Sequence, residues 1–93
     1  MIPERRSTTR FKMNLPVKIH NSSGDKAVDV GRATNISAGG LSMETNKFFK
    51  PDQRLVVRFL INAESTTSIP TKVVWSEDEH GDRRCGVKFL ITH

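Results

Sequence analysis

Three arginines, Arg5, Arg6 and Arg10, crowd a short polar segment near the start of the chain, with only Ser7, Thr8 and Thr9 between the second and the third. A guanidinium offers paired N–H donors that match a phosphate or the O6 and N7 edge of guanine, and its flat face stacks on a purine. On a helix, positions 6 and 10 would stack like charges on poor helix formers; in an irregular loop the same spacing lets both side chains fold back on one ligand. The segment carries too little apolar surface to fold alone, so by itself it reads either as a solvated tail or as a clamp for an anion bearing phosphates and guanines.

A second constellation is Asn35-x-Ser37-x-x-Gly40, with Gly39 beside its last member. An amide and a hydroxyl at alternate positions share one side of an extended strand end, and glycines permit a tight turn and a close approach of backbone to ligand. Taken alone, these residues are also the ordinary ingredients of a turn. Energetics leave two readings: the arginine segment is partly ordered before it binds, or all its arginines and the second motif act together. Ordering Arg5 to Arg10 costs on the order of 10 kcal/mol if the segment is free beforehand, whereas one bidentate pair contributes about 1–3 kcal/mol.

The elements that must position these groups read as strands. Met13, Leu15, Val17 and Ile19 alternate with Lys12, Asn14, Lys18 and His20, which predicts a half-buried strand with Pro16 at an edge or bulge. Ala27 to Thr34 predicts a second strand, paired with the first as a hairpin, with Val28 and Val30 on one face and a bulge at Gly31. Leu41 to Thr45 makes a third, and residues 47–53 a loop whose Phe48 and Phe49 plug one end of the core. Leu55 to Ile61, Ile69 to Ser76 and Arg84 to Ile91 are the remaining strands, separated by a polar turn at 62–68 and an acidic turn at 77–82. Trp75 ends the fifth strand and reads as core or rim packing, and Cys85 as a small core residue. No 3.6-residue period is sustained. Six short alternating strands predict an all-β sandwich or small barrel, and closure into an antiparallel barrel is the expected form because it removes costly edges.

Composition narrows the function classes. Ninety-three residues suffice for one small core, and a single domain over 1–93 is expected. The net charge of +5 favours an anionic partner without specifying which. The longest apolar stretch is far short of a membrane span, the N-terminus lacks a secretory pattern, and one cysteine allows no internal disulfide, so a cytoplasmic location is expected. His20, His80, His93 and Cys85 form no metal-ligand spacing, and Glu77, Asp78 and Glu79 sit in a solvent turn rather than paired in a pocket, so neither a metal site nor catalysis is expected.

Arg6-x-x-x-Arg10 directly before a first strand, followed by Asn35-x-Ser37-x-x-Gly40 after a second, resembles the signature of the PilZ domain, the bacterial receptor module for cyclic di-GMP. Val73-Val74-Trp75 and Cys85-Gly86-Val87-Lys88-Phe89 are similar to later strands of that family, so the resemblance covers nearly the whole chain. It implies a six-stranded barrel in which residues 1–10 form a ligand-clamping loop and 11–93 the barrel, with a C-terminal helix short or absent. It implies that Arg6 and Arg10 grip guanine edges and phosphates, and that Asn35, Ser37 and Gly40, with Gly39, hold the other side of the nucleotide. Arg5 occupies a position associated with binding an intercalated pair of cyclic di-GMP molecules rather than one. The implied role is a non-enzymatic adaptor that orders its N-terminus on the ligand and presents a new surface to a downstream partner in motility, biofilm or polysaccharide control. The alternatives are a small basic barrel that binds single-stranded nucleic acid, which the absence of tyrosine and the apolar placement of most phenylalanines disfavour, and a PilZ-like module working by protein contact alone.

Overall fold

The computed structural model describes residues 11–62 and 65–90. They form six strands: β1 (Phe11–His20), β2 (Ala27–Ile36), β3 (Gly40–Thr45), β4 (Arg54–Asn62), β5 (Ser65–Glu79) and β6 (Asp82–Phe89). All pairings are antiparallel, and the order β1-β2-β3-β6-β5-β4 closes on itself through β4 and β1, where Val17 lies opposite Phe59 and Ile19 opposite Val57. The expected all-β barrel is therefore the fold, and there is no helix among the described residues. Closure matters because a small open sheet would leave two rows of unpaired backbone groups.

Alternation fills the interior. Val17 and Ile19 of β1, Met43 of β3, Val57 of β4 and Val73 of β5 all point inward and are at most 1% exposed. Each contributes roughly 1.5–3 kcal/mol through removal of its side chain from water. Thr71, also fully buried, satisfies its hydroxyl by donating to the Leu55 carbonyl at 2.9 Å. Cys85 is part of this core as expected, and burial, aided by the charge of Asp29, pushes its thiol up to about 11.

Several local expectations change. The polar stretch 65–68 is strand, giving β5 its fifteen residues, and the acidic stretch continues as strand to Glu79, so only His80 and Gly81 make the turn. Both turn residues have positive φ, 55° and 84°, as a two-residue hairpin turn matching the twist of its strands requires. Gly31 is regularly paired, with Val17 on one side and Thr45 on the other. It is glycine because a Cβ there would sit 2.5 Å from the Glu44 carbonyl oxygen, a close approach rather than a bulge. The irregularity lies instead at Val28, the extra residue between the Ile19–Asp29 and His20–Ala27 pairs, so Val28 packs on the core while Val30 is 56% exposed. Of the two loop phenylalanines only Phe49 enters the core; Phe48 is exposed. Pro16 sits where expected, one residue before β1 begins to pair with β4 and beside an irregularity between Lys12 and Leu15.

His20 also departs from its expected exposed place. It is buried, at the end of the barrel where the Asn21–Lys26 turn brings Gly24 against Val56, its strand-mate, and its Nδ1 has no hydrogen-bond partner among the described residues. Desolvation, reinforced by the positive charges of Arg58 and Lys18, holds its pKa below the usual histidine value. A depressed folded-state pKa means the contribution to stability is complete above the ordinary histidine pKa and is lost as pH falls through the lower, folded value. Thermal melts between pH 7 and pH 5 are therefore expected to show a steeper loss of Tm for the wild type than for His20→Gln. Met43→Ala is expected to cost about 2–5 kcal/mol in urea unfolding, the range for emptying a fully buried site.

Candidate functional site

Strict alternation along β2 would send Asn35 inward, two residues beyond the buried Ala33. It does not, because β2 carries one extra residue between the Ala33–Met43 and Asn35–Ser42 pairs. Thr34 is that residue, and its hydroxyl donates to the Ser42 carbonyl at 3.3 Å. The bulge inverts the faces: Asn35 turns outward beside Ser42, and Ile36 turns inward to pack on the core. The chain then folds through Ser37, Ala38 and Gly39 into β3, with the Ser37 amide donating to the Gly40 carbonyl at 2.9 Å and the Phe89 amide donating to that of Gly39 at 2.9 Å.

β5 repeats the device. Val73 lies opposite Val87 and Trp75 opposite Gly86, leaving Val74 as the extra residue. Trp75, inward by simple alternation from Val73, is turned outward and is 39% exposed, while Ser76 donates from its hydroxyl to the Phe49 carbonyl. Lys12, Asn35, Ser42, Gly86 and Trp75 thus form one continuous row of opposed residues on the outer face of β1, β2, β3, β6 and β5. Around this row an open depression of about 220 Å³ is lined by Asn35, Ser37, Gly39, Gly40, Ser42, Val74, Trp75 and Gly86, among others.

The glycines divide by what they do. A Cβ on Gly40 would strike the Val87 carbonyl oxygen, and one on Gly86 would run into the Trp75 indole, 2.5 Å from its Cε2. Gly40 therefore allows β3 to approach β6, and Gly86 seats the indole flat against the barrel wall. Gly39 meets nothing within 4 Å and has no positive φ, so the fold itself does not require glycine there.

The sequence-derived residues Asn35, Ser37, Gly39 and Gly40 are brought together here. Arg5, Arg6 and Arg10 lie outside the described residues. The depression adds two residues that sequence reasoning placed elsewhere or passed over, Trp75 and Ser42. The signal for Trp75 was a glycine on the neighbouring strand at the position an aromatic would cover, which becomes readable only once the strand register is known. The site holds hydroxyls, an amide, backbone and an aromatic face, suited to hydrogen-bonding and stacking a flat heterocycle. No cluster of three His, Cys, Asp or Glu side chains able to hold a metal occurs among the described residues.

In urea unfolding, Gly39→Ala is expected to change stability by less than about 0.5 kcal/mol and Gly40→Ala to cost about 1–3 kcal/mol from overpacking. Gly86→Ala displaces the indole, and the emission of the single tryptophan should shift to longer wavelength.

Comparison with known proteins follows this geometry. The sequence pattern of the PilZ domain family matches residues 4–92. Among solved structures, the Bacillus subtilis inhibitor of motility MotI/DgrA superposes with a TM-score of 0.72 at 20% identity, covering 98% of this chain and 45% of its own. The PilZ domain of YcgR from Escherichia coli, solved with c-di-GMP, gives 0.70 at 11% identity, covering 94% and 79%. The PilZ domain of CeSA from a cellulose-synthesizing bacterium gives 0.66 at 16%, covering 91% and 83%. The chain thus spans less than half of MotI/DgrA, and at these identities the structural likeness speaks for the fold. No curated protein matches. No helix among the described residues is long and apolar enough to cross a membrane. Bulged strands that carry Asn35, Ser37 and Gly40 to one outer depression, on a closed six-stranded barrel whose sequence fits the family pattern almost end to end, make this chain a member of the PilZ domain family.

Proposed function

We propose that this protein is a cyclic di-GMP receptor and adaptor, in which the N-terminal arginines and the outer depression close on the dinucleotide from opposite sides. The observation that carries this reading is the outward turning of Asn35, which puts the second motif on an open surface opposite Lys12. In sequence Arg10 stands two positions before Lys12, the residue opposite Asn35, so the first motif joins the strand that borders the second. The c-di-GMP bound to the PilZ domain of YcgR supports the choice of ligand.

Each group has a role in this reading. Arg6 and Arg10 donate in pairs to phosphate oxygens and to guanine O6 and N7. Asn35 and Ser37 hydrogen-bond the base or phosphate on the barrel side, while Gly39 and Gly40 leave the backbone accessible. Trp75, flat over Gly86, offers a guanine a stacking surface. Arg5 provides the additional guanidinium that an intercalated second molecule would need. Ordering residues 1–10 on the ligand creates a surface that the free protein lacks, and that surface is the output. The role is that of a binding module within a single domain, acting in the cytoplasm, and no catalytic residue is assigned.

Titration calorimetry with cyclic di-GMP tests this directly. Arg6→Ala and Arg10→Ala are each expected to weaken binding at least tenfold, about 1.4 kcal/mol or more. Asn35→Ala and Trp75→Ala should also weaken it, and Arg5→Ala should lower the number of ligands bound more than the occupancy. Unaltered affinity in Arg10→Ala would remove the central claim.

A further inference from the structure

Two rows of charged residues cross the outside of the barrel, and they are built on opposite rules. In one, Arg32, Glu44, Arg84 and Glu77 lie directly opposite one another on β2, β3, β6 and β5, alternating in sign, with Arg84 Nη2 3.1 Å from Glu77 Oε1. In the other, Gly40 is followed on β6, β5 and β4 by Lys88, Lys72 and Arg54, each opposite the next. Like charges directly opposed in a sheet destabilise it, and neighbouring strands are only about 4.8 Å apart. Among the described residues the single acidic contact to this row is Asp52, whose Oδ1 is 3.6 Å from Lys72 Nζ and whose side chain is largely exposed. Lys18 and Arg58, opposed on β1 and β4, extend the same basic face. Among the described residues of β1, β4 and β5 before Glu77 there is no carboxylate.

The row ends in a groove. Arg54 lines it with Lys47, the exposed Phe48, Val28 and Leu55, and with the amide side chains of Asn21 and Gln53. Again no acid lines it. The amides of Asn21 and Gln53 are held by their own turns, with Asn21 Oδ1 accepting from the Gly24 amide and Gln53 Oε1 from the Lys50 amide, so the groove offers an apolar floor flanked by Lys47 and Arg54, which fits an aliphatic or aromatic side chain. It does not fit a run of stacked bases, which needs aromatics in series rather than the one exposed ring of Phe48.

We propose that the β6-β5-β4 face, from Lys88 through Lys72 and Arg54 to the Phe48 groove, is a docking surface for an acidic segment of a partner protein. The carboxylates of that segment lie along the cation row, and one apolar side chain enters the groove beside Phe48. The surface adjoins the depression at Gly40, so a partner seated there lies next to whatever occupies that site. The inference needs only the barrel and does not depend on the identity of the nucleotide.

The test uses the full chain and a synthetic glutamate-rich peptide carrying a single leucine, labelled for fluorescence anisotropy. The comparison probes are the same peptide with glutamine for glutamate, an oligothymidine, and vesicles of phosphatidylserine and phosphatidylcholine. The acidic peptide is expected to bind, with backbone amide shifts confined to β4, β5, β6 and the 47–54 loop. Lys72→Glu and Phe48→Ser should each weaken it roughly tenfold, the scale of one lost desolvated contact. Because Lys72→Glu restores the alternating pattern seen in the other row, that variant should keep or raise the wild-type Tm, and loss of binding then reflects the surface rather than the fold. Equal binding of the glutamine peptide, binding unaffected by both substitutions, or no binding overturns the proposal. Tighter binding of oligothymidine or of the vesicles, lost on Lys72→Glu, overturns it in favour of a nucleic-acid or lipid surface.

Discussion

The architecture of this barrel rests on the two-residue period of its strands and on the two places where that period is broken near the depression. Side chains in a closed barrel have only an inside and an outside, and a strand cannot change which residues it buries without an extra residue. Thr34 on β2 and Val74 on β5 are such residues. Without the first, Asn35 would bring an amide into an interior of Ile, Leu, Val and Met side chains, at a cost of several kcal/mol if unpaired. Without the second, a tryptophan would compete with Val73 and Cys85 for a filled core. The bulges resolve both conflicts and place the two side chains in one row on the outer surface.

Packing then supplies the shape of that surface. Gly40 and Gly86 are positions where the backbone of one strand or the ring of a neighbour occupies the space a Cβ would need. Gly39 is different, since its surroundings are open and its backbone unexceptional. A glycine that the fold does not require, in the turn that borders an open depression, is consistent with room left for a bound molecule. The depression is thus rigid on the β3 and β6 side, where ladder hydrogen bonds and the seated indole fix it.

Charge is distributed on the same barrel in two ways that have different consequences. The alternating row on β2, β3, β6 and β5 neutralises itself, and together with the Arg83–Asp78 pair at 3.1 Å it contributes the modest stabilisation of exposed ion pairs. The cationic face on β6, β5 and β4, extended by Lys18 on β1, does not, and its repulsion is tolerated by a core that is closed and well filled. The net charge of the sequence becomes a directional property only because the strand order collects these cations on one side.

How much of this was legible beforehand follows the range of the interactions involved. Alternating apolar residues determined six strands and an interior containing Val17, Ile19 and Cys85, because burial on one face of a strand is written in neighbouring positions. The order of Arg6-x-x-x-Arg10 and Asn35-x-Ser37-x-x-Gly40 determined the family. The exposure of Trp75, the burial of His20, the true role of Gly31 and the separation of Phe48 from Phe49 were decided only by the tertiary structure. Each depends on register, on a single bulged residue or on a turn folding over a strand end, and these are set by partners distant in the chain. The same holds for the cation row from Lys88 to Arg54: its members are 16 to 34 positions apart in sequence, and it exists because β4, β5 and β6 lie side by side in the closed barrel.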